Sequence, residues 1–420
     1  LFFREDKRKG QWTGLLASLF LAFSYWHVTL NHLSFRANYL PLTETLCFFF
    51  LWRALRTDKL GAYLASGVFL GLGLHTYIAA RFVPITLVVF LSLLLLTKEG
   101  RDLVLARWPR WLLLAAVALA VFAPLLVFFA TNPEYFVLRA GGISIFSPHL
   151  NQGDPLGLFL RSALGNFGLF GFTGDPNWLF NIPGRSPMDS VQAVLFWLGV
   201  AYSIAHCRKR PYLFLLVWLV VMLLPSILAP DPIPHHLRAV GVLPVACILS
   251  ALAITGLAPS LLRRMRRPGR VIAPVLAALL LLYLGWAVRN TWHTYYDVWA
   301  LRDEVFYAYH GHMADLVTQM NQDNEPDAVY LFPINRDRSD EDYEEYTVEL
   351  LYKGSVPFHY VTVDEATVSA RLSEAAAGKR IVKLVVWTHG DHVDADPRGL
   401  LPYLLERFGH QVDEQVRRGY

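Results

Sequence analysis

Apolar runs of helical length, separated by short polar joints, fill the first two thirds of this chain and stop near Val288. Nine of them read as membrane-crossing helices: residues 11–29, 38–52, 60–77, 82–97, 110–130, 190–206, 211–228, 237–258 and 271–288. The second and fourth are short and require tilt or local thinning of the bilayer. One connection, residues 131–189, is far longer than the others and too aromatic for a disordered segment. Its middle, Leu156 to Phe172, reads LGLFLRSALGNFGLFGF and predicts a helix lying in the membrane interface. A tenth full span there would reverse the side of everything downstream and break the charge asymmetry described below.

Beyond residue 288 the pattern shortens and becomes mixed. A polar helix is expected near 303–321, a strand AVYLFPI from Ala328, and a helix around 341–352. A strand FHYVTV from Phe358, a helix near 365–377, a strand RIVKLVVW from Arg380 and a helix near 397–408 follow. Strands alternating with helices imply a small α/β domain with a largely parallel sheet. The chain thus divides into an α-helical polytopic membrane domain, 1–288, which includes the long loop 131–189, and an α/β domain, 289–420. No glycine-rich phosphate loop follows any of these strands, which argues against a nucleotide site. The segment THGDHVDADP places His389, Asp391, His392, Asp394 and Asp396 just after the third strand, where α/β sheets often bind ligands. A divalent metal is chemically compatible with that set, but a solvated acidic loop is the ordinary reading, so no metal ligand is assigned.

Composition sharpens this division. The 420 residues are 54% hydrophobic, and the net charge of +4 hides two opposite halves. Residues 1–288 carry 25 Lys+Arg against 11 Asp+Glu, and residues 289–420 carry 13 against 23. Nineteen of the first 25 cations fall in joints on one side of the nine spans and six on the other. The positive-inside rule therefore puts the start of the chain in the cytoplasm and the α/β domain outside, giving a multi-pass protein of the cell membrane. Cys47 and Cys247 lie within apolar runs and Cys207 beside a basic joint, so no disulfide framework is expected. The absence of an initiator Met, with Leu1 to Arg4 reading as the end of an earlier segment, predicts an N-terminal truncation. The cations sit at span ends, and nucleic acid is not an expected partner.

The six outer cations are all arginine: Arg36, Arg81, Arg139, Arg161, Arg185 and Arg238. Lysine anchors a helix end as well as arginine does, whereas bidentate recognition of a phosphate favours the planar guanidinium. Arg36, Arg81 and Arg238, with His235 and His236, are the candidate phosphate-binding set. His75 and Tyr77 stand near Arg81 at an outer span end, while Asp175, Asn177, Asn181 and Arg185 offer hydrogen bonds suited to sugar hydroxyls, though their Gly and Pro neighbours equally suit a plain turn. Glu44, a carboxyl within an expected span, marks a functional position, such as a water-filled cavity, by its cost in lipid.

The succession FSYWHVTLNHLSFRANYLPL, GLGLHTYIAAR, NPEYFVLRAGGISIF, GDPNWLFNIPGRSPMD and LLPSILAPDPIPHHLRAVG, across about residues 1–258, resembles bacterial and archaeal relatives of the dolichyl-phosphate-mannose protein mannosyltransferases and aminoarabinose transferases. These are membrane glycosyltransferases of the GT-C fold, similar to glycosyltransferase family 39. The resemblance implies transfer of a sugar, with inversion, from a polyprenyl-phosphate carrier to a protein or lipid acceptor on the outer face of the membrane. It also implies a catalytic Asp in a first outer loop that this chain starts beyond, so no catalytic residue is named among the residues present. Two other readings remain: a non-catalytic GT-C scaffold that recognises a glycolipid, and a lipid or sugar transporter. A transporter often carries internal repeats, of which the sequence offers no convincing instance.

Overall fold

The computed structural model describes residues 7–32, 35–264, 269–334, 343–388 and 393–416. They form two compact units, Leu1–Trp299 and Ala300–Tyr420.

The first unit is helical. Its helices are α1 (Lys7–Phe23), α2 (Tyr25–His32), α3 (Tyr39–Thr57), α4 (Leu60–Leu74), α5 (Phe82–Leu94), α6 (Lys98–Leu105) and α7 (Trp108–Thr131). Then come α8 (Glu134–Gly142), α9 (Pro148–Asn151), α10 (Pro155–Gly168), α11 (Ser190–Ala205), α12 (Arg210–Ile227), α13 (Leu243–Arg264) and α14 (Gly269–Trp292). All nine apolar stretches are helical, but nine full crossings are not what the helix lengths give. Among the described residues four helices are long and apolar enough to cross a membrane, or five if α1 and α2, which meet at a 55° bend, count as one. The helices over 60–77, 82–97 and 190–206 are shorter, because 3-10 turns and loops take up their ends.

The outward faces are those of a lipid-immersed protein. Only Leu114 and Ala118 of α7 are buried, and they meet α4 where it is thinnest. A Cβ on Gly67 would lie 2.6 Å from the Leu114 carbonyl, and one on Gly71 would lie 2.7 Å from the Ala118 carbonyl. Small residues one turn apart let the two backbones touch, the usual means of helix association where lipid removes the hydrophobic drive. α10 has the reverse polarity of a water-soluble helix. Leu156, Leu160, Leu164 and Phe167 are exposed along one stripe, while Ser162 and Asn166 are buried, Ser162 donating to the Ile227 carbonyl at 2.8 Å. Its 14 residues give about 21 Å of rise, short of a bilayer core of about 30 Å.

A polar clamp closes the end of the unit at which α3 joins α4. Asp58, at a left-handed φ of 55°, receives Arg107 Nε at 3.1 Å, the Arg110 guanidinium and the Tyr63 hydroxyl at 3.1 Å. Arg107 also donates to the Leu55 carbonyl at 2.9 Å, capping the end of α3.

The second unit is a three-layer α/β fold. Helices α15 (Asp303–Ala308), α16 (Gly311–Gln322), α17 (Tyr343–Leu351), α18 (Val368–Ala375) and α19 (Leu400–Phe408) accompany strands β1 (Ala328–Ile334), β2 (Phe358–Thr362) and β3 (Ile381–Leu384). The sheet order is β2-β1-β3 and both pairings are parallel. Alternate β1 residues pack oppositely: Tyr330 and Phe332 with α16, Val329 and Leu331 with α18 and Leu401 of α19. The helix expected over 303–321 is two helices, because His310 adopts a left-handed φ of 51° between them. The third strand ends at Leu384, earlier than the run to Trp387 suggests. Of the acidic segment, His389, Asp391 and His392 lie outside the described residues, and Asp396 caps α19 through the Leu400 and Leu401 amides.

Gly71→Leu is expected to force α4 from α7, a cost of about 1–3 kcal/mol by overpacking. The measurement is the thermal midpoint of the protein in detergent, and an unchanged midpoint would contradict this close approach.

Candidate functional site: two loops locked by a buried aspartate

The residues Gly174 to Arg185 fold back on the residues that link α12 to α13, and one carboxylate joins them. Asp175 is fully buried. Its Oδ2 accepts the His236 N–H at 2.8 Å and its Oδ1 accepts the Asn177 N–H at 2.9 Å. The pairing is reciprocal, since the Asp175 N–H donates to His236 Nε2 at 3.2 Å. His235 Nδ1 lies 3.3 Å from the same Oδ2. Asn181, also buried, closes the loop by donating to the carbonyls of Asp175 (3.0 Å) and Arg185 (2.8 Å). Gly174 is required here: a Cβ would stand 1.7 Å from the Arg185 carbonyl oxygen.

Aromatic side chains of α2 line the same place. The Trp26 indole donates to the His236 carbonyl at 3.1 Å, and the Arg185 guanidinium sits 4.8 Å above the Tyr25 ring. Phe180 packs at 5.0 Å from the His235 ring. Tyr25 and Trp26 are not among the candidates named from sequence, although both stand in the motif FSYWHVTLNHLSFRANYLPL that opens the resemblance.

These contacts fix protonation states. His236 Nε2 accepts a hydrogen bond, so its proton resides on Nδ1, which the Phe180 backbone engages; burial pushes the ring down to about 3. The ring is thus held neutral with both nitrogens engaged within the loops, a setting that suits a brace. Burial pushes Asp175 up to about 6, against the backbone donors of His236 and Asn177 and the charge of Arg238. With a backbone N–H on each carboxyl oxygen and no exposure to solvent, Asp175 braces the two loops against each other. Arg238 remains as the cation. Its Nη1 donates to the Ala229 carbonyl at 2.5 Å. Burial also lowers Arg185, opposed by Tyr25 and Asp189.

Of the remaining candidates, Arg81, His75, Tyr77 and Arg36 make their contacts away from the lock, while Asn177 and Glu44 border it. Arg81 stacks on Phe136, with its guanidinium carbon 4.0 Å from the ring centroid, and donates to the Phe136 carbonyl at 3.2 Å. His75 Nε2 is 3.0 Å from the Val121 carbonyl, and Tyr77 opens the turn that carries Arg81. Arg36 is exposed in the 3-10 turn Arg36–Asn38. Asn177 is exposed, its Oδ1 accepting the Leu179 N–H at 2.8 Å. The side chain of Arg139 lies outside those described. Glu44 is 1% exposed on α3, with the Trp218 indole beside its carboxyl. Its Oε2 would be 3.3 Å from a Cβ on Gly241, just past Arg238, and the neighbouring Trp218 indole donates to the Gly241 carbonyl at 3.2 Å. Among the described residues no three His, Cys, Asp or Glu gather so as to hold a metal.

Residues 6–128 match the family model described as dolichyl-phosphate-mannose-protein mannosyltransferase. That stretch, under a third of the chain, supports a mannosyltransferase-like family of GT-C type. It holds Arg36, Glu44, His75, Tyr77 and Arg81, whereas the Asp175 lock lies beyond it. No curated protein matches the chain.

The lock has a pH signature. Between about pH 4 and 6 the folded protein holds a proton on Asp175 that the unfolded chain lacks, so acidification there is stabilising. Over about pH 6.5 to 3 the unfolded chain protonates His236 while the folded ring stays neutral, so acidification is destabilising. The two effects oppose each other in the native sequence. Asp175→Asn removes the first, and its thermal midpoint is expected to fall on going from pH 7 to 5 by roughly one to three degrees more than that of the native protein. Parallel pH profiles for the two proteins would refute this assignment.

Proposed function

We propose that the chain transfers a sugar from a polyprenyl-phosphate carrier to a protein or lipid acceptor at the outer face of the cell membrane, with inversion at the anomeric carbon. The observation that carries the reading is the buried lock that presents Arg238, joined to a mannosyltransferase-like match over residues 6–128. In this reaction the acceptor hydroxyl oxygen attacks the anomeric carbon from the face opposite the phosphate while its proton passes to a carboxylate base, a role assigned to no residue present here. The bond from that carbon to the phosphate oxygen breaks, and its electron pair becomes charge on the departing lipid phosphate. Arg238, preorganised by Ala229 and the lock, supplies the leaving-group half of the chemistry by stabilising that charge. His235, Arg36 and Arg81 complete the donor-binding set, with His236 as the brace behind it. In this reading Asn177 and Arg185 contact sugar and acceptor, the fully buried Asp175 and Asn181 hold their loop in place, and His75, Tyr77 and Glu44 belong to the surrounding region. Hydrogen bonds within the loops already take up Asp175 and Asn181, so Arg185 and the exposed Asn177 are the groups that reach a hydroxyl.

The topology belongs to the same proposal. Nine crossings, several by short or tilted helices, put the basic joints in the cytoplasm and the unit after Trp299 outside the cell. Cys207 tests this, since it is exposed while Cys47 and Cys247 are buried. A membrane-impermeant maleimide is expected to label Cys207 in inverted vesicles and not in intact cells. Labelling of intact cells would reverse the orientation.

Activity is measured with full-length protein in nanodiscs and a radiolabelled polyprenyl-phosphate hexose, following label released from the lipid phase onto membrane acceptors. Arg238→Gln is expected to lower kcat/KM by roughly 10²–10³-fold with an unaltered thermal midpoint, and Arg238→Lys to recover part of it. No transfer by the native protein, or full transfer by Arg238→Gln, would overturn the proposal.

A further inference from the structure

A cleft of about 240 Å³ lies at the end of α14, lined by Trp286, Arg289, Asn290 and His293. It is remote in sequence from every residue of the lock. The four positions share one helical face, three or four residues apart, and the same face continues down the helix as Val275, Leu279 and Leu282, all exposed. An apolar stripe therefore runs into a polar end that holds a guanidinium, a carboxamide and an imidazole. Among the described residues no carboxylate lines the cleft. Asp297 stands one turn on and takes His293 Nδ1 at 2.9 Å, which orients the ring and leaves Nε2 as its unengaged nitrogen. The polar end coincides with the start of a π-helical turn, His293–Trp299, an irregularity frequent at functional positions. Trp286, Trp292 and Tyr296 are exposed around it, the aromatic residues that mark the level of lipid headgroups.

We propose that this face of α14 binds a membrane phospholipid, with the headgroup phosphate against Arg289, Asn290 and His293 and an acyl chain along Trp286, Leu282, Leu279 and Val275. Charge complementarity and the continuity of apolar stripe and cationic end select this occupant. A soluble anion uses only the cleft, and an apolar partner leaves the guanidinium without a counterpart. The guanidinium and carboxamide supply planar donors matched to phosphate oxygens, and the indole edges the headgroup region. The inference depends on α14 being membrane-embedded and does not depend on sugar transfer.

The test uses full-length protein in phosphatidylcholine nanodiscs doped with a photoreactive phosphatidic acid carrying its carbene precursor in the acyl chain, and peptide mapping by mass spectrometry. Insertion is expected within the α14 segment from Val275 to His293, and Arg289→Gln is expected to lower it about tenfold, with Arg289→Lys intermediate. Protection of the buried Cys47 and Cys247 from maleimide and the elution volume report that each variant is folded. Equal labelling by a photoreactive diacylglycerol, which has no phosphate, would overturn the assignment, as would labelling indifferent to Arg289→Gln. Displacement of the probe by millimolar inorganic phosphate would reassign the cleft to a soluble anion and equally end the lipid proposal. Loss of transfer activity is not a readout here, so failure of this test and failure of the transferase proposal are separately visible.

Discussion

A carboxylate removed from water must be surrounded by donors, and this requirement organises the candidate site. Asp175 meets it with the amides of His236 and Asn177, the first of them 61 residues away in sequence. Hydrogen bonds to a charged acceptor are worth about 1.5–3 kcal/mol each, and leaving one unmade at a buried carboxylate costs at least as much. The two loops therefore hold one another in a single arrangement. From that arrangement follow the neutral tautomer of His236, the glycine at position 174, the bridge made by Asn181 and the position of Arg238 beside Ala229.

Hydrophobic patterning made most of this architecture legible. The apolar runs became helices, and the alternation after residue 300 became a parallel sheet with helices on both faces. Helix ends were harder to read, because local backbone geometry decides them. His310 breaks one expected helix through a left-handed conformation to which hydropathy is blind, and 3-10 turns at Ile78–Arg81 and Val240–Val242 shorten apolar runs without altering their composition. The motif residues were visible but their grouping was not. Asp175, Asn181 and Arg185 suggested one set and His235, His236 and Arg238 another, yet they form one cluster. Its central bonds end on backbone amides, which leave no trace in residue type.

Arginine shows how one property serves two ends. Its planarity and delocalised charge favour a phosphate, and they equally favour an aromatic face. Arg81 uses them on Phe136 and Phe129, and Arg185 on Tyr25. In both cases the guanidinium ties a loop element to a helix or turn, so the sequence preference for arginine over lysine is explained in part before any ligand is considered. Arg107 and Arg110 do related work at the opposite sort of joint, where Asp58 gathers them around the turn between α3 and α4.

The inverted polarity of α10 carries a consequence for handling the protein. A helix with leucines outside and a serine and an asparagine inside is unstable in water for the same reason that it is stable against acyl chains. The long connection therefore behaves as an amphiphile in its own right. A surfactant belt sized only for the tall helices leaves this flank bare, and bare leucines on separate particles will stick to each other. Extraction conditions that keep native lipid around the flank preserve the loop, and with it the brace that the loop supports.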